Sequence, residues 1–333
     1  MARVGLDAYS LIGPSGHELC APDVFVMLPM VKDLGGEGLQ ASLPDDPGKA
    51  SDAFSLAAEL DLYLEPYVPL PLHWRGDSAL IERRRKQFDL VCAVAAERGV
   101  QALHCTMGGQ ERFEDLARWK EFVAATARCL VDLGPRLREY GLRLGIENHW
   151  DYSTFEILEI VERAGADVVG FGLDTGNLPI LAEAPDRAVE RAAPLTVTTH
   201  LKDVMLFSTR QGAARPVMPL GQGQMEIAGV VRLLHRHNPR LHYTIEDHPV
   251  IYNVDYFAPS WLAAVPELTT YDIATTARLA QEGDRWLAER RVPDPHGAEL
   301  VPWSVRGAAR LRADIQAVKE MLASAEQAER AEA

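Results

Sequence analysis

Four stretches of this chain end an apolar, strand-like run in a residue able to hold a metal ion or move a proton. Leu142-Arg143-Leu144-Gly145-Ile146 runs into Glu147-Asn148-His149-Trp150, and Val168-Val169-Gly170-Phe171-Gly172-Leu173 runs into Asp174-Thr175-Gly176-Asn177. Thr196-Val197-Thr198-Thr199 is followed by His200-Leu201-Lys202-Asp203, and Leu241-His242-Tyr243-Thr244-Ile245 by Glu246-Asp247-His248. Short apolar runs bounded in this way read as buried strands. One acidic residue at a strand end is ordinarily a helix cap or a loop ion pair. Four metal-capable residues, each closing its own strand, are not explained as caps. Three carboxylates and one imidazole form a hard, oxygen-rich donor set. It suits Mn2+, with Mg2+ or Co2+ also fitting, and it lacks the Cys/His character of structural zinc sites.

For these residues to meet, their strands must lie side by side in parallel, with the C-terminal ends on one face. Strands are expected at about 3–6, 38–43, 62–67, 99–105 and 142–147, and then in runs ending at Asp174, His200 and Glu246. Between them fall helices at about 22–34, 46–60, 78–98 and 111–140, the last broken at Gly134-Pro135. Further helices are expected at 153–164, opened by the capping box Ser153-Thr154-Phe155-Glu156, and at 186–193 and 226–238. Later helices follow at 269–291 and 305–331.

Parallel strands need crossover helices, so the alternation predicts an α/β fold, a (β/α)8 TIM barrel. Its usual size of about 250 residues leaves a surplus. The surplus is placed in C-face loops around 11–20 (with the turn Gly13-Pro14-Ser15-Gly16), 68–78, 204–224 and 248–266, and in the tail. Residues 1–292 would form the barrel and 293–333 a C-terminal helical extension. The spacing of Leu311, Ile315, Val318 and Leu322 gives that extension an apolar face, for the barrel or for a second subunit. The alternative fold is a doubly wound open sheet, but the first strand lacks a G-x-G-x-x-G turn.

Composition narrows the partners. At 333 residues and 47% hydrophobic content, the chain can bury one large core. Its 34 Lys and Arg against 48 Asp and Glu give a net charge of −14, which repels phosphate backbones and anionic lipid. Neither nucleic acid nor a membrane surface is therefore an expected partner. The run Arg83-Arg84-Arg85-Lys86 reads as a solvated helix face. The four cysteines (Cys20, Cys92, Cys105, Cys129) form no C-x-x-C pair and read as reduced. With no signal core and no apolar run of about 18 residues, the protein is expected in the cytoplasm.

These motifs resemble the sugar phosphate isomerase/epimerase superfamily, the xylose-isomerase-like TIM barrels that include ketose 3-epimerases, hydroxypyruvate isomerase and inosose dehydratase. Ile146-Glu147-Asn148-His149, Gly172-Leu173-Asp174-Thr175-Gly176-Asn177, His200-Leu201-Lys202-Asp203, Pro219-Leu220-Gly221-Gln222-Gly223 and Glu246 carry the likeness. The resemblance implies a divalent metal, commonly Mn2+, held by Glu147, Asp174, His200 and Glu246. It also implies abstraction of a proton α to a sugar carbonyl, with the ion as Lewis acid. In the epimerases, the first and last glutamates, here Glu147 and Glu246, carry the proton.

A carboxylate bound to a cation is a weak base, so His149 is a rival for that role. The competing reading of His149 is a loop hydrogen bond. Arg215 matches a family arginine that binds substrate oxygens; otherwise it is an exposed loop charge. Asn177 stands where many epimerases carry histidine, which puts the usual substrate contact there in question. His104, Glu65 and Trp150 either line the pocket or pack, and Lys202 and Asp203 are expected only to buttress His200.

The expected activity is isomerase or epimerase on a ketose or keto acid. The alternative is a lyase on the same scaffold, either an inosose-type dehydratase or the metal subunit of an enzyme cleaving 3-oxo C-glycosides. That last type works with a small partner subunit; a homo-oligomer is the other expectation. A DNA-repair nuclease family shares this barrel, but the acidic charge and oxygen-rich donors argue against it.

Overall fold

Side chains alternate along eight short parallel strands, and this alternation decides the architecture. The computed structural model describes residues 1–13, 18–109 and 111–332. In the fifth strand, Arg143–Glu147, Leu144 and Ile146 are fully buried beneath helices, while Gly145 and Glu147 face inward. The other strands are Val4–Asp7, Gly38–Ser42, Tyr63–Tyr67, Ala102–Cys105, Val169–Asp174, Thr196–His200 and Tyr243–Ile245. They pair in sequence order, with the eighth beside the first. A parallel bridge from Leu201 to Ile245, with Leu201 N–H donating to Thr244 O at 2.8 Å, brings the seventh strand to the eighth and closes the ring. The fold is a TIM barrel.

TIM barrels are commonly filled by branched apolar side chains. Here the C-terminal half of the barrel is polar. Asp7, Gln40, Glu65, His104, Glu147, Asp174, Thr198 and His200 are all buried there, with Gln40 bonded to Glu65 and His200, and His104 to Thr198 and Glu147. Such a core persists only if its groups satisfy one another.

The helices start on caps that the sequence supplies. Asp23, Asp46, Asp77, Asp115 and Ser153 each accept a first-turn N–H, and Ser153 with Glu156 forms the expected capping box. The break expected at Gly134-Pro135 is not there: Leu116–Tyr140 is one helix with Pro135 inside it. Gly134 lacks the Cβ that the proline ring would strike, so the helix gives up one hydrogen bond and continues. The real break lies at Asp115, after the short helix Glu111–Glu114. The basic run lies on the exposed side of the helix Ser78–Glu97, with Arg84 alone of the four half-buried.

Residues 204–224 were expected as a loop, and this too is corrected. Ala213–Met218 pairs antiparallel with Asp203–Val204, Phe207–Ser208 and Ile251–Val254. The segments after the seventh and eighth barrel strands are thus tied into one small sheet over the C-terminal face. The helix Thr270–Ala288 braces it, with Asp284 accepting Ser208 N–H at 2.9 Å and Leu279 O accepting Gln224 Nε2 at 2.9 Å.

The last helix, Trp303–Glu332, buries Leu311, Ile315, Val318 and Leu322 on the barrel and runs beside Ile227–His237. Trp303 is fully buried and donates its indole N–H to Ser10 O at 2.8 Å. The Gly13-Pro14-Ser15-Gly16 turn lies, beyond Gly13, outside the described residues. Among the described residues all four cysteines are free, and no helix is long and apolar enough to cross a membrane.

Candidate metal centre

Strand register brings the four residues to one point. Glu147 pairs with Gly172, Asp174 pairs with His200, and Glu246 follows the eighth strand directly, its N–H donating to Leu201 O at 3.2 Å. All four are buried, and one ligand atom from each lies within 4.8 Å of the others. His200 Nδ1 is 3.0 Å from Glu246 Oε2, 3.4 Å from Glu147 Oε1 and 3.9 Å from Asp174 Oδ2.

Each ligand is held by its remaining atoms. Asp174 Oδ1 accepts the N–H groups of Gly176 (2.8 Å) and Asn177 (3.0 Å). Asn148 exchanges two bonds with the Asp174 backbone, both 2.8 Å, which ties the fifth strand end to the sixth. Glu147 Oε2 accepts from His104 Nε2 (3.3 Å) and from the Thr106 hydroxyl, and Oε1 from Asn177 Nδ2 (3.2 Å). His200 donates from Nε2 to Gln40 Oε1 at 2.5 Å, and Gln40 in turn donates to Glu65 at 2.6 Å. Tyr67, 3.2 Å from the same His200 nitrogen, donates its hydroxyl to Asp7 at 2.8 Å.

Asp174 Oδ2 and His200 Nδ1 are buried with charged neighbours: Lys202 Nζ lies 3.0 Å from Asp174 Oδ2, and Glu246 Oε2 lies 3.0 Å from His200 Nδ1. Both point into the cluster. Four buried ligand atoms converging within 4.8 Å of one another fit a divalent cation, and the donor set suits Mn2+ or Mg2+.

The electrostatics agree. Burial opposes charge on His200, yet Glu147 and Glu246 outweigh it and hold the imidazole well above its usual range. Burial also pushes Asp174 up to about 7, against the pull of Lys202. Burial would raise Glu147 and Glu246 as well. His200 overrides it for the first, and Lys202 and then His200 for the second, so both stay well below the carboxylate range. Three carboxylates draw positive charge to this point, and a proton on His200 supplies it. His104 behaves oppositely: burial, helped by the charge on His200, pushes it down to about 4. Its ring stacks on His200 at 4.4 Å, in a space that a side chain at Gly172 would fill.

Arg215 is fully buried, so the reading as an exposed loop charge is overturned. Its Nη2 donates to Asn177 Oδ1 at 2.9 Å, its guanidinium stands 4.9 Å over the Tyr252 ring, and Nε and Nη1 have no acceptor. Trp150 is half-buried, 4.9 Å from Tyr252 and 5.4 Å from His149. His149 Nδ1 has no hydrogen-bond partner, which leaves the expected loop bond unmade there. Lys202 contacts Asp174 and Glu246 rather than His200, and Asp203 accepts the Gly221 and Gly223 N–H groups at 2.9 and 2.8 Å. The Gly-x-Gly loop therefore points its amides at a carboxylate of its own chain. Sequence reasoning missed Gln40, Thr106 and His248, the last donating to Glu246 at 3.1 Å.

A cavity of about 560 Å3 opens beyond Tyr252, walled by Phe113, Trp150, Trp261 and Ile180. A larger one, about 610 Å3, lies at the opposite end of the barrel near Tyr63, Arg143 and His242. Two of the three arginines there are engaged by backbone carbonyls: Arg98 bonds Ser51 O at 3.2 Å and Arg143 bonds Ala166 O at 2.9 Å. The candidate cluster lies at the C-terminal face, where sites on this fold are usually found.

The family model of the xylose isomerase-like TIM barrel matches residues 28–263. This chain belongs to that family. YihM of Escherichia coli K12, a protein described as uncharacterised, is 25% identical over 181 residues, covering 53% of this chain and 52% of YihM. The chain thus spans about half the length of that curated relative. Among solved structures, a xylose isomerase-like TIM barrel protein from Mycobacterium smegmatis in complex with magnesium has a TM-score of 0.57 at 16% identity, covering 84% of this chain and 98% of that one. An L-ribulose 3-epimerase has a TM-score of 0.51 at 16% identity, covering 88% and 99%. The probable 3-DHS dehydratase AsbF from Bacillus anthracis has 0.53 at 13% identity, covering 74% and 93%. At these identities the likeness is one of fold.

Proposed function

We propose that this member of the xylose isomerase-like family is a divalent-metal-dependent isomerase or epimerase that removes and returns a proton α to the carbonyl of a sugar or keto-sugar. The carrying observation is the buried cluster of Glu147, Asp174, His200 and Glu246, whose ligand atoms lie within 4.8 Å of one another. These four would hold the ion, Mn2+ by preference; when bound, it polarises the substrate carbonyl and offsets charge on its oxygen.

The chain's own groups divide the remaining work. Glu147 and Glu246 are held at low pKa by their neighbours and so are weak bases. Burial keeps His149 neutral, and it lies close enough to feel Glu147, Glu246 and Lys202. We give His149 the proton and the glutamates the ligand role. Arg215, with two unbonded guanidinium nitrogens, binds substrate oxygens, and Asn177 orients it.

The second reading is elimination, in which a leaving group β to the carbanion departs before reprotonation. The aromatic-walled cavity beside Tyr252 favours it, because it gives a leaving group room. An epimerase and a dehydratase among the fold neighbours support the two readings equally.

Mass spectrometry of products formed in D2O tests both. The protein with Mn2+ meets a panel of ketoses, inososes and 3-oxo-glycosides, with Glu246→Gln as control. An isomeric product one deuterium heavier establishes the isomerase; loss of water or an aglycone makes the protein a lyase. A metal-loaded protein inert across the panel, supplemented with lysate as a source of a small partner subunit, overturns the proposal.

A further inference from the structure

Lys202 stands where the implied ion has its ligands. It is 3% exposed, and its Nζ lies 2.8 Å from Glu246 Oε2 and 3.0 Å from Asp174 Oδ2. These are the oxygens turned toward His200 Nδ1, since Asp174 Oδ1 is occupied by the Gly176 and Asn177 amides and Glu246 Oε1 by His248. The ammonium and the ion would thus share two carboxylate oxygens.

The lysine is not free to leave. The Thr175 hydroxyl clamps its backbone, donating to Lys202 O at 2.7 Å and accepting Lys202 N–H at 2.9 Å. Its stem lies across Gly176, where an added Cβ would meet Lys202 Cγ at 2.7 Å and Cδ at 2.8 Å. Gly176 leaves room for the stem, and a side chain at that position would displace it.

The charges then decide what it does. Three carboxylates around one divalent ion leave a single negative charge. A fixed ammonium removes it, so that the loaded cluster is neutral and does not repel an oxyanion forming beside it.

We propose that Lys202 is a built-in counter-cation of the metal centre. It shares Asp174 and Glu246 with the ion, holds the two carboxylates together when no ion is bound, and weakens metal binding in exchange for a neutral loaded site. This rests on the metal reading above and adds a specific occupant to it.

The test is isothermal titration of the full chain with Mn2+, comparing wild type, Lys202→Met, which keeps an unbranched stem on Gly176, and Lys202→Arg, which keeps the charge. Mutual repulsion between ammonium and ion predicts that Lys202→Met binds Mn2+ at least about tenfold tighter, with Lys202→Arg within about threefold of wild type. Circular dichroism of each variant separates a folding defect from an affinity change, and Lys202→Gln replaces the methionine variant if that one fails to fold. Equal or weaker binding by the neutral variants overturns the counter-cation role while leaving the metal site standing. Absence of Mn2+ binding in every protein, wild type included, overturns the metal reading and this inference with it.

Discussion

Arg215 Nη2 donates to Asn177 Oδ1 at 2.9 Å, and Asn177 passes the connection on to Glu147 Oε1 at 3.2 Å. The pair couples the cluster to the small sheet above it, because Arg215 and Tyr252 are cross-strand partners there. Asn177 thus has both ends of its amide engaged, one on a ligand and one on the arginine. Asn177 bridges Glu147 and Arg215.

Arg215→Ala is therefore expected to raise KM at least about tenfold, since bonds from a charged donor to substrate oxygens are worth roughly 1.5–3 kcal/mol, while Mn2+ affinity stays within about threefold. Asn177→Ala should move both quantities, because it frees Arg215 and removes a donor from Glu147. Steady-state kinetics beside Mn2+ titration reads the difference. An Arg215→Ala enzyme with unchanged KM would remove the arginine from the substrate site.

Metal affinity should fall as pH falls. The carboxylates hold His200 above its usual range and burial lifts Asp174 to about 7, so below neutrality the metal-free cluster carries protons that the ion must displace. Binding that releases one proton weakens about tenfold for each pH unit below 7, and with both groups protonated more steeply. Titrations in buffers of different ionisation enthalpy count the protons released. A flat affinity between pH 6 and 7.5 would contradict the assigned protonation.

The barrel was legible because each strand announces itself locally: an apolar run, a turn and a helix with an acidic or hydroxyl cap such as Asp77 or Ser153. The four candidate ligands were legible for the same reason, each closing such a run. Their supports were not. Gln40 sits 160 residues from the His200 it bonds, on a strand whose sequence carries no sign of that partner. Lys202 was visible beside His200, but that the lysine reaches past it to Asp174 and Glu246 follows from barrel closure alone. The sheet hidden in 204–224 was missed because Ala213–Met218 includes Pro216 and Arg215, residues that argue against a strand until its partners are known.

The C-terminal helix should matter for stability rather than chemistry. Trp303 is fully buried, and its indole bonds Ser10 O near the end of the first strand. Trp303→Ala is expected to cost about 3–5 kcal/mol, with Trp303→Phe losing less because it keeps most of the packing and gives up the hydrogen bond. Urea unfolding measures both. Losses below about 1 kcal/mol would mean that the helix docks without contributing to the barrel.

The base is the sharpest question the site poses. Glu147 accepts from His104, Thr106 and Asn177, and Glu246 is flanked by Lys202 and His248. A carboxylate with that many donors holds a proton poorly, and binding a cation would weaken it further. His149 has the opposite setting: burial keeps it neutral and its Nδ1 is unbonded. His149→Ala should therefore lower kcat about 10²–10⁴-fold and abolish deuterium uptake while leaving Mn2+ affinity within about threefold. Glu147→Gln and Glu246→Gln should lose the metal first and activity as a consequence. If His149→Ala keeps kcat within about threefold and Glu147→Gln still binds Mn2+ but exchanges no deuterium, the proton belongs to the glutamate and His149 only borders the site.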